Sequence, residues 1–204
     1  MARGRSAGYE DQRELILERA AQLFAQRGYT AASMNEVAEA CGLSKPALYH
    51  YFRDKYDLLV HIAEGHVSRL QLLVAEVEQQ QLPPEQRLRT LIERFVLEYA
   101  SAKHAHRVLT EDVKFLKDED RRRILGSERG MVEHFSSAIG QQWPQVATAG
   151  LTTPTAMLLF GMINWMFTWF RPEGSLTYEH MAPLVADLFF GGVPAMRLPP
   201  PTNP

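Results

Sequence analysis

The stretch GLSKPALYHYFRDKYDLL (Gly42–Leu59) sets two tyrosines, a histidine and a phenylalanine at consecutive positions, Tyr49 to Phe52, between Lys45 and Lys55. Successive side chains of a helix point in different directions, so four rings in a row share no single face. Ser44 has the N-cap residue type, and Pro46 is tolerated two positions later because first-turn amides lack intrahelical partners. Upstream, Ser33 with Glu36 forms a capping box that opens a short helix over Met34–Ala40, and Gly42 breaks it. Two short helices across a tight break predict a helix-turn-helix, whose second helix is the one that enters a major groove. The rings then leave that helix and turn into the next. A phenol and an imidazole can hydrogen-bond phosphate oxygens, Lys45 and Lys55 supply cations, and helix N-termini offer free amides. The competing use of the same rings is as the core of a small domain. Phe52 is assigned to that core, and Tyr49, His50 and Lys55 to nucleic acid.

Working outward, helical periodicity recurs along the chain and strand signals are nearly absent. Ile16, Ala20, Leu23 and Phe24 mark a first helix over about 11–26, stopped by Gly28. Asp54 opens a fourth that runs to about Gln80. Pro83–Pro84 breaks the chain, and Leu88, Leu91, Ile92, Phe95, Val96 and Tyr99 define a strongly amphipathic fifth helix. A shorter helix is predicted over Arg107–Leu116. The next spans about Glu119–Gln141, with Leu125, Val132, Phe135 and Ile139 inward. Thr153–Pro154 is read as an N-cap and first-position proline launching an apolar helix to Phe170. RPEGSLT is a loop, and a last helix follows from Thr177, with Pro183 expected to delay or kink it. The fold expected is all-α with about nine helices. A helix-turn-helix DNA-binding domain occupies 1–54, a ligand-binding and dimerisation domain 55–194, and a disordered tail 195–204.

Of the 204 residues, 46% are hydrophobic and 23% charged, which suits globular domains with a sizeable core. The net charge is −2, and the first sixty residues balance 8 basic against 8 acidic side chains, so any polyanion binding depends on local placement. One cysteine, Cys41, excludes an internal disulfide and fits a reducing compartment. No charged-then-apolar leader is present, so a cytoplasmic location is expected. The apolar run Thr155–Phe170 is shorter than the ~20 residues of a membrane span and carries Asn164.

The segment AAQLFAQRGYTAASMNEVAEACGLSKPALYHYFRDKYDLL, Ala20–Leu59, resembles the N-terminal domain of TetR-family transcriptional regulators. The features matched are LFAxxGY, a Thr before the second helix, VAxxxGLS, LYHYF and KxxLL. The resemblance implies an all-α homodimer that binds a palindromic double-stranded DNA operator and represses until a small molecule binds its second domain. It further implies DNA contacts at Thr30, Ser44, Lys45, Tyr49, His50 and Lys55, with Pro46 and Ala47 facing bases. Arg3 and Arg5 either reach DNA as an arm or belong to a frayed terminus. In the second half, GMINWMFTWFRPEGSLTYEHMA (Gly161–Ala182) is similar to a subgroup that senses acyl-CoA thioesters, and HRVLTEDVKFL (His106–Leu116) to repressors of phenylacetate degradation. An acyl-CoA inducer is therefore expected, phenylacetyl-CoA first and other fatty or aromatic acyl-CoA next. A free lipophilic ligand, as in drug-sensing relatives, is the alternative.

The effector pocket is expected among the fourth, fifth, seventh and eighth helices, lined by Phe95, Tyr99, Phe135, Asn164, Trp165 and Trp169. Arg171 either meets thioester or phosphate oxygens or caps its helix C-terminus. The two tryptophans are one turn apart and equally suit core, dimer seam or ligand. The last two helices carry more apolar surface than one domain needs, and the resemblance places them at a dimer seam. His104 and His106 are two apart and share no helix face, so an exposed turn is expected there and no metal site. Arg121–Arg123 is read as a solvated face, or else as a partner for CoA phosphates. No glycine-rich phosphate loop occurs, and the adjacent Ser44–Lys45 pair cannot converge on one substrate, so no enzyme and no cofactor are expected. The rival of another class is a helical binding module that never touches DNA.

Overall fold

Ile16, Ala20 and Phe24 are fully buried along α1 (Ala7–Arg27) in the computed structural model, which describes residues 7–171 and 176–198. α2 (Met34–Ala40) opens on the expected capping box: the Ser33 hydroxyl accepts the Glu36 amide and the Glu36 carboxylate accepts the Ser33 amide. Gly42 reverses the chain at φ +65°, a left-handed conformation that side chains resist, and the Leu43 amide closes the turn on the Ala38 carbonyl. α3 (Lys45–Tyr49) follows, with the Ser44 hydroxyl accepting the Ala47 amide. α4 (Lys55–Gln79) starts where the Asp54 carboxylate accepts the Asp57 amide at 2.7 Å.

The chain continues as α5 (Pro84–Ser101), α6 (Lys103–Asp112), a 3₁₀ turn over Val113–Phe115 and α7 (Asp118–Gln142). α8 (Pro144–Thr148), α9 (Thr152–Trp169), α10 (Tyr178–Gly192) and a 3₁₀ turn over Val193–Ala195 complete it. The architecture is all-α, with ten α-helices and no strand among the described residues. No described helix is long and apolar enough to cross a membrane. Arg3, Arg5, residues 172–175 of the RPEGSLT loop and tail residues 199–204 lie outside the described residues.

The expected all-α fold is observed, with one more helix than the nine or so expected and several element boundaries and burials corrected. The added helix is α8, whose five residues are too few to show a period; it is seated by buried Trp143 and Val146. α6 begins at Lys103, four residues before the expected start, because only Ala102 separates it from α5 and no proline or glycine marks the break. His106 therefore lies inside a helix, 3% exposed, instead of in an exposed turn. Its Nδ1 is 3.2 Å from Nε2 of buried His66 on α4. α9 begins at Thr152, which puts Pro154 third in the helix, still within the turn that needs no amide. α10 starts at Tyr178 with Pro183 inside it, so the proline does not delay the helix. α7 turns Ile124, Met131, Phe135, Ala138 and Ile139 inward, leaving Leu125 and Val132 half-buried.

The chain forms two compact units, Met1–Val67 with Ala102–Ile124, and Ser68–Ser101 with Leu125–Pro204. In the first, α6 and the start of α7 join the N-terminal helices. Tyr56 on α4 donates to the Asp120 carboxylate at 2.6 Å and accepts the Lys117 amide at 2.9 Å. In the second, Phe95, Phe135 and Phe160 form an aromatic layer, with Phe135 4.8 Å from Phe95 and 4.9 Å from Phe160 between ring centres. Gly140 allows α7 and α9 to approach: a Cβ there would sit 3.2 Å from the Thr152 methyl.

Candidate functional site

The four rings of YHYF divide by burial. Phe52 is 1% exposed, with the Arg13 guanidinium 5.1 Å above its ring and the His61 ring edge-on to it. Tyr51 is half-buried and stacks on Tyr9 of α1 at 4.8 Å. Tyr49, at 44% exposed, and His50 stand out to solvent at the end of α3. The unit thus takes two rings for its own packing and presents the other two.

Ser44, Lys45 and Pro46 form the exposed start of α3, and Ala47 is half-buried within its first turn. Lys45 has no ion pair among the described residues. Other cations of this unit are engaged at home. Arg27 pairs with Glu36, and Arg53 donates to the Asp57 carboxylate through its guanidinium at 2.9 Å and its amide at 3.0 Å. Burial alone raises the Asp57 carboxyl, but the Arg53 hydrogen bonds and the nearby His61 and Arg53 charges bring it below the usual range. The hydrogen bond from the Ser33 hydroxyl, with the Ser33 amide and Arg27, lowers Glu36. These carboxylates are held ionised by partners within the unit, and Lys45 stands outside those pairs.

Lys55 stands differently from Lys45. Its ammonium donates to the carbonyls of Tyr29, Thr30 and Ala32 at 2.8, 3.0 and 2.8 Å. An ammonium has three N–H donors, so all are committed and the side chain offers charge without a free donor. Thr30 is exposed on the turn that Lys55 ties down. Cys41, the C-cap of α2, is half-buried, and burial pushes its thiol up, against the opposing effect of Arg19, so the reactive thiolate is disfavoured.

Among the expected effector residues, Phe95 and Phe135 are fully buried in the aromatic layer, and Tyr99 is buried beside Phe95. Asn164 is half-buried, with its Oδ1 enclosed and without a hydrogen-bond partner. Trp165 and Trp169 are 63% and 55% exposed, so the structure does not bring them together with the other four. Arg171 donates to the carbonyls of Phe167 and Phe170, capping the end of α9. A cavity of about 410 Å³ opens between α4 and α7, walled by Val74, Ala75, Gly130 and Met131 and rimmed by Gln71 and His134. Arg123 is held by Glu64 and Asp120. One polar residue escaped the sequence reading. Glu128 sits on the inward face of α7, four residues from Ile124 and seven from Phe135, and burial raises its carboxyl. A carboxylate on an apolar stripe was the available signal.

Comparison with known proteins matches residues 16–62 to the model of bacterial regulatory proteins of the tetR family, and residues 81–193, over half the chain, to the tetracyclin repressor-like C-terminal domain. A TetR-family regulator from Bordetella parapertussis is 32% identical, with 93% of this chain and 99% of that one covered and a TM-score of 0.84. AibR, solved with isovaleryl coenzyme A and operator DNA, is 30% identical over 87% of this chain and 98% of its own, with a TM-score of 0.74. The repressor KstR2 of Mycobacterium tuberculosis is 24% identical over 188 residues, 87% of this chain and 90% of its own. With a helix-turn-helix head, an all-α body and both family models matched, the chain belongs to the TetR family of transcriptional regulators.

Proposed function

We propose that this regulator is a cytoplasmic repressor that binds a palindromic operator as a homodimer and is released by an acyl-CoA thioester. The observation that carries the DNA half is the exposed start of α3, with unpaired Lys45 and with Tyr49 and His50 turned outward. Ser44, Lys45, Tyr49, His50 and Thr30 are assigned to phosphate and Pro46 and Ala47 to base edges; Lys55 acts through the turn it fixes. Dimerisation is supported by apolar side chains left exposed on α9 and α10, among them Leu158, Trp165, Trp169, Leu184 and Leu188. Covered by a second copy, such a face contributes at ~25 cal/mol per Å² of apolar surface removed from water.

The inducer reading rests on the resemblance of Gly161–Ala182 to acyl-CoA sensors and on AibR, whose structure holds isovaleryl coenzyme A. Phenylacetyl-CoA is the first thioester to try. Phe95, Tyr99, Phe135 and Asn164 are assigned to the effector site, with Trp165, Trp169 and Arg171 at its margin. The second reading, a free lipophilic ligand, is favoured by the α4–α7 cavity, which no lysine or arginine lines. Ligand acts by binding better to a form that misfits the operator, and the shift cannot exceed that difference in affinity. The test is operator release from a fragment of the protein's own promoter over phenylacetyl-CoA, isovaleryl-CoA, longer acyl-CoAs, the free acids and CoA alone. Release by a thioester is expected. Release by a free acid and by no thioester rejects the acyl-CoA inducer and leaves the repressor.

A further inference from the structure

Beyond the aromatic layer of the second unit, three helices each supply a polar side chain. Arg87 of α5 meets Gln141 of α7 at 2.9 Å, and Phe95 meets Phe135, so these helices run antiparallel. α9 is antiparallel to α7 as well, since Thr152 lies against Gly140 while Phe160 packs on Phe135. One turn past the rings on α5 is Tyr99, one turn past on α9 is Asn164, and two turns back on α7 is Glu128. The register puts all three on the same side of the aromatic layer. The raised Tyr99 phenol, pushed up by burial and then by the Glu128 charge, agrees with that neighbourhood.

This layer consists mostly of acceptors. Asn164 Oδ1 is enclosed and unpartnered, and Glu128 has neither a hydrogen bond nor an ion pair among the described residues. A half-buried carboxylate with no cation and an enclosed amide oxygen with no donor are costly as core packing. Their complement is a group that brings N–H or O–H. Ser127, Gly130 and Met131, flanking Glu128 on α7, line the cavity of about 410 Å³, so the layer adjoins an opening.

Resting on the reading that this unit holds a small effector, we infer that Glu128, Tyr99 and Asn164 form its polar recognition layer. The layer takes a ligand with an amide N–H or hydroxyl on an otherwise apolar body and excludes a free carboxylate. A carboxylate would set a second anion beside Glu128 with no described cation to offset either. Glu128 is thus a specificity-determining residue that separates acyl conjugates, whose carboxyl is masked and whose carrier arm supplies amide N–H, from their free acids.

The test compares phenylacetamide with phenylacetate by calorimetry on the wild type and on Glu128→Gln, beside operator release by phenylacetyl-CoA. The wild type is expected to bind the amide at least about tenfold more tightly, and Glu128→Gln to reduce that ratio to within about threefold. Asn164→Leu should weaken the amide about tenfold while melting no lower than the wild type, since it removes an enclosed unpartnered oxygen. An amide-to-acid ratio unchanged by Glu128→Gln overturns the inference, and so does a wild type that binds neither small probe or binds phenylacetate as well as the amide. If phenylacetyl-CoA and every other thioester fail to release operator while the ratio responds to Glu128→Gln, the acyl-CoA reading falls and this inference stands.

Discussion

The ammonium of Lys55 lies 2.8 Å from the carbonyl oxygen of Tyr29 and 4.6 Å from the centre of its ring. The first residue of α4 thereby fixes the end of α1 and the turn that leads to α2, closing a loop of chain around the helix-turn-helix. Lys45, two helices of chain order away from α1 and exposed, has no such duty. Two lysines at helix starts that look alike in sequence have different physical tasks.

Lys55→Met is therefore expected to lower stability by about 1–3 kcal/mol, because three carbonyls lose a charged donor. Lys45→Ala should leave the melting curve unchanged. In operator titrations over a salt series, Lys45→Ala should reduce the slope of log K against log salt by about 0.9, one phosphate contact, whereas Lys55→Met weakens binding without a matching change in slope. Equal slopes for Lys45→Ala and wild type remove Lys45 from the phosphate contacts.

Within YHYF the burial pattern separates stability from binding. Phe52→Ala should cost about 3–5 kcal/mol and unfold the head at temperatures where the rest persists. Tyr49→Ala should melt like the wild type and bind the operator more weakly, by an amount read from anisotropy titration. A Tyr49→Ala protein that keeps full operator affinity rejects the assignment of that exposed ring to DNA.

The head was legible because its signals are local. Ser33 with Glu36, Gly42 at a left-handed turn and Ser44 before Pro46 act over three or four residues, and the structure repeats them. What sequence missed depends on distance along the chain. The α5–α6 junction carries no breaker residue, so its position comes from the packing of α6 on α1, and with it the burial of His106 against His66. The commitment of Lys55 to carbonyls 23 to 26 residues earlier is invisible to any periodic pattern. Glu128 was hidden for a related reason: a charge on α7 reads as solvated until the packing of the unit half-buries it.

The exposed apolar face of α9 and α10 yields a prediction on assembly. Leu188 and Leu158 are each 67% exposed, and a stable interface needs about 800 Å² from each partner. Leu188→Glu should shift the protein to a monomer in sedimentation at micromolar concentration and weaken operator binding with it, since two half-sites are read together. A wild type that sediments as a monomer at that concentration contradicts the dimer.

Glu128 also predicts how stability depends on pH. Burial raises its carboxyl above the ordinary value of 4.5, so the folded protein holds this proton more tightly than the unfolded chain does. The stability it contributes is complete below that ordinary value and is lost as pH rises through the folded value. Glu36 and Asp57, whose carboxyls are lowered, act in the opposite sense and lose their contribution as pH falls. Both are present in the wild type and in Glu128→Gln, so they cancel in a comparison of the two. The melting temperature of Glu128→Gln relative to wild type should therefore be flat in acid below about pH 4.5 and climb toward neutral pH, where the buried carboxylate ionises only in the wild type. Melting curves from pH 4 to 8 check this. A difference that stays constant over that range would show that Glu128 ionises as readily in the fold as in the open chain, and would remove the burial on which its role in the polar layer depends.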